Sequence, residues 1–512
     1  MALSLVPLVQ PSTGDAAATA AAGEGTPAPF FPEDHRKLEA TVPFATLEAF
    51  LASVDGRGVA VSVEGKSAGG RPLYLVHLSS PQGAGGPGAF TLLLYAQQHG
   101  DEVSGKDALL YLVRDVVKGA FRVPPGVDLW VIPSVNPDGA VAGKRRNGAG
   151  ADLNRDHVVL EQPETQALHR VVRRLRPHLA VDSHEFARAP EGWKAKGWSK
   201  WPVITMDGLN NPLFDRTLVA LASRRVEEAA AWEAEAGYPF LRYWVGGAPP
   251  DEEQRHSAPD VDGGLNAVGM YGALSFIIEA SAPGDEKAPA GDLGRRVDAY
   301  LVLFRHLVAG NGRRAEERAA VELARSRPLP PFLPADALWA NPEGKVTEFP
   351  VVETATGRVR KVPTANMMTD LVVKRSVPTP LGYAVTPGAA PEFGALLSRH
   401  GIPFETLASA RSVKAETCTL LRVEEEFDDV YSRYGGRQIV RRAAAAEMEL
   451  PAGSLWVPLA GESALRAALV LEPAGMYGLF AYPRFRALAG SGGSLPLLRV
   501  VGGTGSSKEG KP

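Results

Sequence analysis

The sequence predicts an α/β fold in which helices cover both faces of a doubly wound, mixed but mostly parallel sheet, followed by a smaller β-rich region. Two observations lead to this prediction. Continuous apolar runs such as FTLLLYAQ (residues 90–97) are typical of strands buried on both faces. Amphipathic segments with helical spacing alternate with these runs, which indicates repeated strand–helix units around one sheet.

The predicted elements follow one another through the first 310 residues. Apolar residues at helical spacing predict a first helix in residues 41–54. Two strand patterns around a glycine-rich turn predict a hairpin over residues 59–79. Strands and helices then alternate. The strands after FTLLLYAQ lie in residues 127–136, 178–185 and 273–281, and the helices lie in residues 104–117, 164–177, 218–236 and 294–310.

Prolines cluster in RSRPLPPFLPADALWANPEG, residues 325–344, and we place a linker there. Beyond it the pattern changes to short strands with many turns, interrupted by one helix in PEFGALLSRHG. The predicted organisation is a disordered leader or signal remnant (1–30), an α/β catalytic domain (31–325), a β-rich accessory domain (326–502) and a disordered tail (503–512).

Composition and charge exclude several classes of protein. Apolar residues make up 45% of the 512, which supports large buried cores, and the net charge of −3 gives no electrostatic case for binding nucleic acid. No apolar run reaches the length of a membrane span. Cys418 is the single cysteine, which excludes an intramolecular disulfide and a cysteine-rich zinc site. The N-terminus has a short apolar stretch without a basic region, which leaves secreted, periplasmic and cytoplasmic locations open.

One short motif indicates chemistry that its context does not support. The sequence GKSAG (residues 65–69) matches the nucleophile elbow of serine hydrolases, which requires a strand, a sharp turn and then a helix. Here a second strand pattern, PLYLVHL, follows the motif. We therefore interpret GKSAG as the turn of a hairpin.

Four polar residues stand where predicted strands end. His99 and Glu102 follow FTLLLYAQQ, His184 ends LAVDS, and Glu279 ends ALSFII. Open α/β sheets bind ligands outside the carboxyl ends of their strands, so all four side chains point to one crevice. His99, Glu102 and His184 form a two-histidine, one-glutamate set, one of the known ligand schemes of catalytic zinc. Glu279 is then available as a general base acting on a metal-activated water.

Each of these residues also has a structural interpretation. A single histidine at the end of a strand is more often a loop residue, and Glu102 alone could cap the helix that begins near Ser104. Glu279 is harder to explain in this way, because burying an unpaired carboxylate costs several kcal/mol. The joint occurrence of all four residues favours the metal site.

Between the two histidines lies a polar, glycine-rich loop, residues 134–157. It carries Arg145, Arg146, Asn154 and Arg155. Such a run is usually a solvated basic loop. This one follows a buried strand that ends at the same crevice, where an arginine could clamp a carboxylate or stabilise negative charge on a carbonyl oxygen.

These motifs together resemble the zinc carboxypeptidase family, the carboxypeptidase A-like metallopeptidases. The resemblance covers about residues 41–310 and implies that family's fold. The C-terminal part resembles extensions on some large bacterial members. The motifs occur in the family's order: HGDE (99–102), NPDG (136–139), RRN (145–147), GADLNRD (150–156), DSHE (182–185) and SFIIEAS (275–281).

The resemblance implies a role for each matching residue. The zinc ligands would be His99, Glu102 and His184, holding one zinc ion, and the general base would be Glu279. Arg145 aligns with the arginine that polarises the scissile carbonyl, and Arg146 is its neighbour. Asn154 and Arg155 align with the pair that binds the substrate's terminal carboxylate. Asp152 matches an aspartate that orients the first zinc histidine.

The sequence departs from the family in one respect that bears on mechanism. The family usually has a mobile tyrosine some twenty residues before the general base. The corresponding stretch here, EEQRHSAPDVDGGLNAVG (252–269), contains none, and Tyr271 is not assigned that role. The sequence therefore leaves the replacement for this tyrosine unidentified. The last part of the stretch, GGLNAVG (263–269), has no large or charged residue from which to predict a side-chain preference.

The sequence leads to the hypothesis of a zinc-dependent metallocarboxypeptidase that hydrolyses C-terminal peptide bonds. Its expected partner is a peptide with a free C-terminus, with no nucleic acid and no membrane span. Two alternatives stay open. One is a zinc amidohydrolase acting on an N-acyl amino acid, and the other is a non-catalytic peptide-binding relative.

Overall fold

An eight-stranded sheet organises the first part of the chain in the computed structural model, which describes residues 30–80, 88–283, 291–424, 437–475 and 478–503. Nearly all of the predicted leader and tail lies outside these residues. The strands up to residue 282 are β1 (Val59–Lys66), β2 (Pro72–Ser79), β3 (Phe90–Ala96), β4 (Val127–Ile132), β5 (Leu179–Ala187), β6 (Trp198–Lys200), β7 (Ile204–Gly208), β8 (Phe240–Arg242), β9 (Val245–Gly246), β10 (Gln254–Arg255) and β11 (Leu274–Ala282).

The strand order of this sheet is β1-β2-β4-β3-β5-β11-β7-β8. The central run β4-β3-β5-β11 is parallel, as is the β7–β8 pair, whereas the β1–β2, β2–β4 and β11–β7 pairs are antiparallel. Every residue of β3 is buried, as expected for a parallel strand covered on both faces. The predicted fold class, a mixed and mostly parallel sheet, is confirmed.

Helices cover both faces of the sheet, because alternate residues of each central strand point to opposite sides. Leu92 and Leu94 of β3 belong to the apolar cluster that contains the two packed helices α2 and α8, whereas Leu93 and Tyr95 belong to the cluster that contains α4. The helices are α1 (Phe44–Val54), α2 (Ser104–Val117), α3 (Pro137–Ala142), α4 (Pro163–Leu175), α5 (Glu191–Ala195), α6 (Arg216–Glu235), α7 (Gly264–Gly269), α8 (Asp292–Ala309) and α9 (Arg314–Ser326).

The helices predicted from apolar spacing are confirmed with small shifts at their ends, and α9 was not predicted. The predicted hairpin is also confirmed. β1 and β2 pair antiparallel, with Lys66 opposite Pro72, and the turn between them holds the GKSAG motif. A strand follows the motif, so the structure lacks the strand–turn–helix geometry of a nucleophile elbow there.

The carboxyl ends of the central strands meet at one edge, which brings distant parts of the chain together. β5 and β11 run parallel with Glu279 directly opposite His184. β3 ends at Ala96, opposite Ser183 of β5, so His99 follows three residues later at the same edge. The predicted convergence of these residues therefore rests on the register of three adjacent parallel strands.

The described part of the C-terminal region is rich in strands and contains three α-helices, of which only the first was predicted. The helices are α10 (Ala390–His400), α11 (Ala464–Leu471) and α12 (Pro483–Arg486). The strands are β12 (Phe332–Ala340), β13 (Thr347–Glu353), β14 (Val359–Thr364), β15 (Met367–Met368), β16 (Asp370–Pro378), β17 (Gly382–Val385), β18 (Glu405–Thr406), β19 (Arg411–Glu416), β20 (Cys418–Glu424), β21 (Arg437–Arg442), β22 (Ala446–Leu450), β23 (Leu455–Pro458) and β24 (Leu497–Gly503).

Several contacts cross the predicted boundary near residue 325. β13 pairs with β6, and β15 pairs with β10. His400 Nε2 also lies 2.8 Å from the carbonyl oxygen of Val158. Part of the predicted linker is itself a strand, since β12 pairs antiparallel with β16. A separate accessory domain therefore stays a prediction, while the contacts show that C-terminal strands support segments of the first part of the chain.

Among the described residues, no helix combines the length and the apolar character that crossing a bilayer requires.

Glu233 of α6 leads to a prediction about stability and pH. Its side chain is fully buried, and neither carboxylate oxygen has a hydrogen-bond partner among the described residues. Burial, together with the charge of Asp298, raises its pKa from 4.5 to about 9. Between these two pH values the folded state holds a proton that the unfolded state has lost. The free energy of unfolding therefore falls by about 1.4 kcal/mol per pH unit through this group as pH rises.

We expect Glu233→Gln to remove this fall in the free energy of unfolding with rising pH. The variant's melting temperature should exceed that of the unmodified protein at pH 8, and the difference should shrink toward pH 5. Thermal unfolding monitored by circular dichroism at several pH values would measure it. Glu227→Gln, at an exposed position of the same helix, is the matched control. A pH-independent difference between the variant and the unmodified protein would contradict the assignment.

Candidate metal centre and substrate cavity

The structure brings the three predicted ligand residues together at the carboxyl edge of the sheet. His99 Nδ1 lies 2.7 Å from Glu102 Oε1, and His184 Nδ1 lies 2.7 Å from Glu102 Oε2. The two Nδ1 atoms are 3.1 Å apart. The candidate ligand atoms of the three residues all fall within 4.8 Å of one another. Two imidazole nitrogens and one carboxylate thus face the same point, which is the donor set that catalytic zinc uses.

The opposite nitrogen of each histidine faces a buried carboxylate. His99 Nε2 lies 3.2 Å from Asp152 Oδ1, and His184 Nε2 lies 3.0 Å from Asp182 Oδ2. Metal-binding histidines usually direct their second nitrogen to such a partner, which fixes the ring and makes the first nitrogen a better ligand. Burial raises the pKa of Glu102, but the charges of His99 and His184 outweigh this and hold it below its usual value. The residues present therefore fit a zinc ion.

The turn that carries His99 and Glu102 depends on a close approach between two loops. A Cβ atom on Gly100 would lie 2.1 Å from the backbone carbon of Gly139, so only glycine fits. Gly139 lies in the first turn of α3, and the side chain of Asn136, which caps this helix, accepts a hydrogen bond from the Gly139 N–H. Gly100 N–H in turn donates to the carbonyl oxygen of Arg145 at 3.2 Å. The HGDE, NPDG and RRN motifs therefore form one packed unit.

Asp182 and Gln98 lie behind the ligand residues, where Asp182 contacts His184 and Gln98 contacts Asp182. Neither residue was predicted from the sequence. The Nε2 atom of Gln98 donates to Asp182 Oδ2 at 2.7 Å and to Asn154 Oδ1 at 3.3 Å. Gly264 packs against this pair, since a Cβ there would lie 2.1 Å from Asp182 Oδ2. Their positions in the sequence could have indicated this role. Gln98 directly precedes His99, and Asp182 stands two residues before His184, both at the ends of otherwise apolar strands.

Glu279 lies beside His184 and lines the cavity in front of the three ligand residues. Burial raises its pKa to about 7, and the neighbouring charges of His184 and Lys200 act in the opposite direction. A carboxylate with a pKa near neutrality can both accept and return a proton at physiological pH, as a general base must.

Arg145 and Arg146 have different partners in the structure. Arg145 Nε donates to Asp152 Oδ2 at 3.1 Å, and its Nη1 lies 3.1 Å from His99 Nδ1. Arg146 Nη1 donates to the carbonyl oxygen of Gly150 at 3.1 Å. Arg145 lines the cavity, whereas Arg146 is not among the lining residues.

Asn154 and Arg155 line the same cavity, which has a volume of about 290 Å³. Asn154 is nine-tenths buried, and its Oδ1 accepts a hydrogen bond from the Gly264 N–H at 2.7 Å. Arg155 Nη1 donates to the carbonyl oxygen of Asn154 at 2.6 Å. The pair is thus fixed by hydrogen bonds to the backbone in the cavity that Glu279 also lines, where a carboxylate could bind.

Tyr243 lines the same cavity as Glu279 and is a tyrosine that the sequence did not identify as a replacement for the family's tyrosine. It follows β8, 36 residues before Glu279, outside the stretch where the family's tyrosine was sought. Its side chain lines the cavity and is hydrogen-bonded to Glu279. Burial and the neighbouring Glu279 charge raise the pKa of Tyr243 well above its ordinary value, so it stays a hydrogen-bond donor. Tyr271 lies elsewhere, with its hydroxyl 2.7 Å from His169 Nδ1.

Comparison with known proteins finds a family match in the first part of the chain. Residues 47–168 match the family model described as zinc carboxypeptidase. This segment includes His99, Glu102, Arg145 and the Asn154–Arg155 pair, whereas His184 and Glu279 lie beyond it.

Curated relatives bear the name carboxypeptidase. "Probable carboxypeptidase 2" of Arthroderma benhamiae is 34% identical over 232 residues, which cover 43% of this chain and 43% of that protein. "Carboxypeptidase 2" of Trichophyton tonsurans is 27% identical over 232 residues, covering 43% of this chain and 42% of that protein. The chain thus spans less than half the length of these relatives.

A solved metallo-carboxypeptidase from Pseudomonas aeruginosa, in complex with (2-guanidinoethylmercapto)succinic acid, is 25% identical. It covers 52% of this chain and 70% of its own, with a TM-score of 0.39.

Proposed function

We propose that this protein is a zinc-dependent metallocarboxypeptidase that hydrolyses the C-terminal peptide bond of its substrate, because residues 47–168 match the family model described as zinc carboxypeptidase. A single observation supports the proposal most strongly. Two of the three ligand residues, His99 and Glu102, border one cavity together with the candidate base and the candidate carboxylate clamp, and the third, His184, lies 2.7 Å from Glu102. Neither a structural metal site nor a basic surface loop needs that combination. That the chain is a large member of the family with a β-rich accessory domain is part of the same proposal.

In the proposed mechanism, His99, Glu102 and His184 hold zinc, which when bound supplies a Lewis acid and makes a water easier to deprotonate. Glu279 takes a proton from the attacking water and later passes it to the leaving amine. Tyr243 donates a hydrogen bond to the Glu279 carboxylate and so orients it. Arg145 stabilises the negative charge that develops on the scissile carbonyl oxygen.

Asn154 and Arg155 give the proposal its exopeptidase character. A guanidinium and an amide fixed on one cavity wall can bind the terminal carboxylate of a peptide and thereby place the last peptide bond in front of Glu279. Asp152 contributes by positioning, since its two oxygens contact His99 and Arg145. An N-acyl amino acid could occupy the same clamp, so peptide hydrolysis itself must be measured.

The test uses a peptide in free-acid and C-terminally amidated forms. We expect the protein to release the last residue of the free acid and to act poorly on the amide. Arg155→Ala should lower kcat/KM for the free acid. The loss of transition-state stabilisation should be roughly 2 to 5 kcal/mol, as when one partner of a buried charge pair is removed. Equal hydrolysis of the free acid and the amide would refute the exopeptidase assignment. Hydrolysis of N-acyl amino acids alone would favour the amidohydrolase.

A further inference from the structure

The cavity has a second basic wall that the proposed mechanism does not use. Arg255 of β10 lines this wall together with Tyr243 and Val245. Its backbone is held on both sides, since Arg255 pairs with Val245 of β9 and with Met368 of β15. The side chain therefore projects from a three-stranded sheet, not from an isolated loop, and a strand of the C-terminal region helps to fix its position.

The Arg255 guanidinium forms no ion pair with a carboxylate in the part of the chain that the structure describes. Within the described residues, this guanidinium makes one hydrogen bond, from Nη1 to the carbonyl oxygen of His256 at 3.0 Å. Other arginines near the centre differ in this respect. Arg145 binds Asp152 at 3.1 Å, and Arg242 binds Asp207 at 2.8 Å. Most donors of the Arg255 guanidinium are thus available to a ligand, in a geometry that matches a carboxylate.

The acidic residues that line the cavity are engaged with other partners. Glu102 contacts the two histidines, and Glu279 is hydrogen-bonded to Tyr243. Glu185 pairs with Arg296, and Asp260 shares a hydrogen bond with the buried Asp262. None of them lies within ion-pair distance of the Arg255 guanidinium among the described residues. A partly buried cation without a counter-ion is costly unless a ligand supplies the negative charge.

We infer that this cavity selects substrates whose C-terminal residue carries a carboxylate side chain, aspartate or glutamate, with Arg255 binding that side chain. The inference rests on the proposed function and assigns the two basic groups different tasks. Asn154 and Arg155 bind the main-chain carboxylate, and Arg255 binds the second carboxylate of the same residue. In the competing arrangement both arginines bind the single main-chain carboxylate, which would give no preference for an acidic side chain.

The test compares peptides that are identical except for a C-terminal Glu, Gln or Lys. We expect the unmodified protein to prefer Glu over Gln by about tenfold or more in kcat/KM, since a charge-assisted contact is lost with Gln. In Arg255→Met the Glu-to-Gln ratio should fall to near one, and Arg255→Lys should retain part of it. Arg146→Met removes an arginine that does not line the cavity and should leave the ratio unchanged.

Equal losses on the Glu and Gln peptides in Arg255→Met would overturn the inference, because Arg255 would then belong to the main-chain clamp. So would hydrolysis without any preference for Glu in the unmodified protein.

A binding measurement separates this inference from the proposed function. In Glu279→Gln, calorimetry should show tighter binding of the Glu peptide than of the Gln peptide, and Arg255→Met added to that variant should abolish the difference. If no peptide is hydrolysed but this binding difference is present, the proposed function fails while the specificity assignment stands. If peptides are hydrolysed but bind equally well, the assignment of Arg255 fails alone.

Discussion

Glu279→Gln is expected to reduce kcat by at least about 10²-fold, the lower end of the effect for a lost general base. Glutamine keeps the size of the side chain and can still accept a hydrogen bond from Tyr243, but it cannot take a proton from water. Because Glu279 is not one of the three ligand residues, zinc content and peptide binding should stay close to those of the unmodified protein.

The measurements are single-turnover hydrolysis, metal analysis and peptide binding on the same preparation. Tyr243→Phe is an informative companion, because it removes only the hydroxyl that is hydrogen-bonded to Glu279. Its effect should be smaller than that of Glu279→Gln, since the base itself remains. Hydrolysis by Glu279→Gln at the unmodified rate would mean that this carboxylate is structural.

Loss of a zinc ligand is expected to abolish hydrolysis. His184→Ala removes one nitrogen of a three-residue donor set, and no other histidine, cysteine or carboxylate group among the described residues forms such a set. We expect zinc content to fall from one ion per chain to a small fraction of that, with circular dichroism and melting behaviour largely preserved. The apolar clusters on both faces of the sheet do not depend on the metal.

Asp182→Asn is a milder test of the same centre. It keeps the shape of the residue that faces His184 Nε2 but removes its charge. Zinc affinity should fall by about 10- to 100-fold, the range typical of such supporting carboxylates, without loss of the fold. An unchanged zinc affinity would show that the contact between Asp182 and His184 does not support the centre.

The sequence predicted the central strands and the grouping of the candidate residues because both depend on local patterns. The apolar run before His99 and the apolar strands that contain His184 and Glu279 are visible without a structure, and parallel strands align their carboxyl ends. The register that sets Glu279 opposite His184 then follows from the sheet.

What the sequence did not predict depends on contacts between distant segments. Tyr243 reaches Glu279 from the end of β8, and no periodicity relates the two positions. Arg255 lines the cavity because β10 is held between β9 and β15, a C-terminal strand more than 100 residues away. The strand within the proline-rich segment was missed for a related reason, since its partner β16 is distant in sequence.

We propose that the three-residue centre holds zinc and that the zinc-loaded protein removes C-terminal residues from peptides. The most direct test follows one free-acid peptide by mass spectrometry with the protein as purified, after chelation and dialysis, and after one equivalent of zinc is restored. We predict loss of the last residue in the first sample, none in the second and recovery in the third. Unchanged hydrolysis by protein verified to lack metal, or cleavage only at internal bonds, would contradict the account.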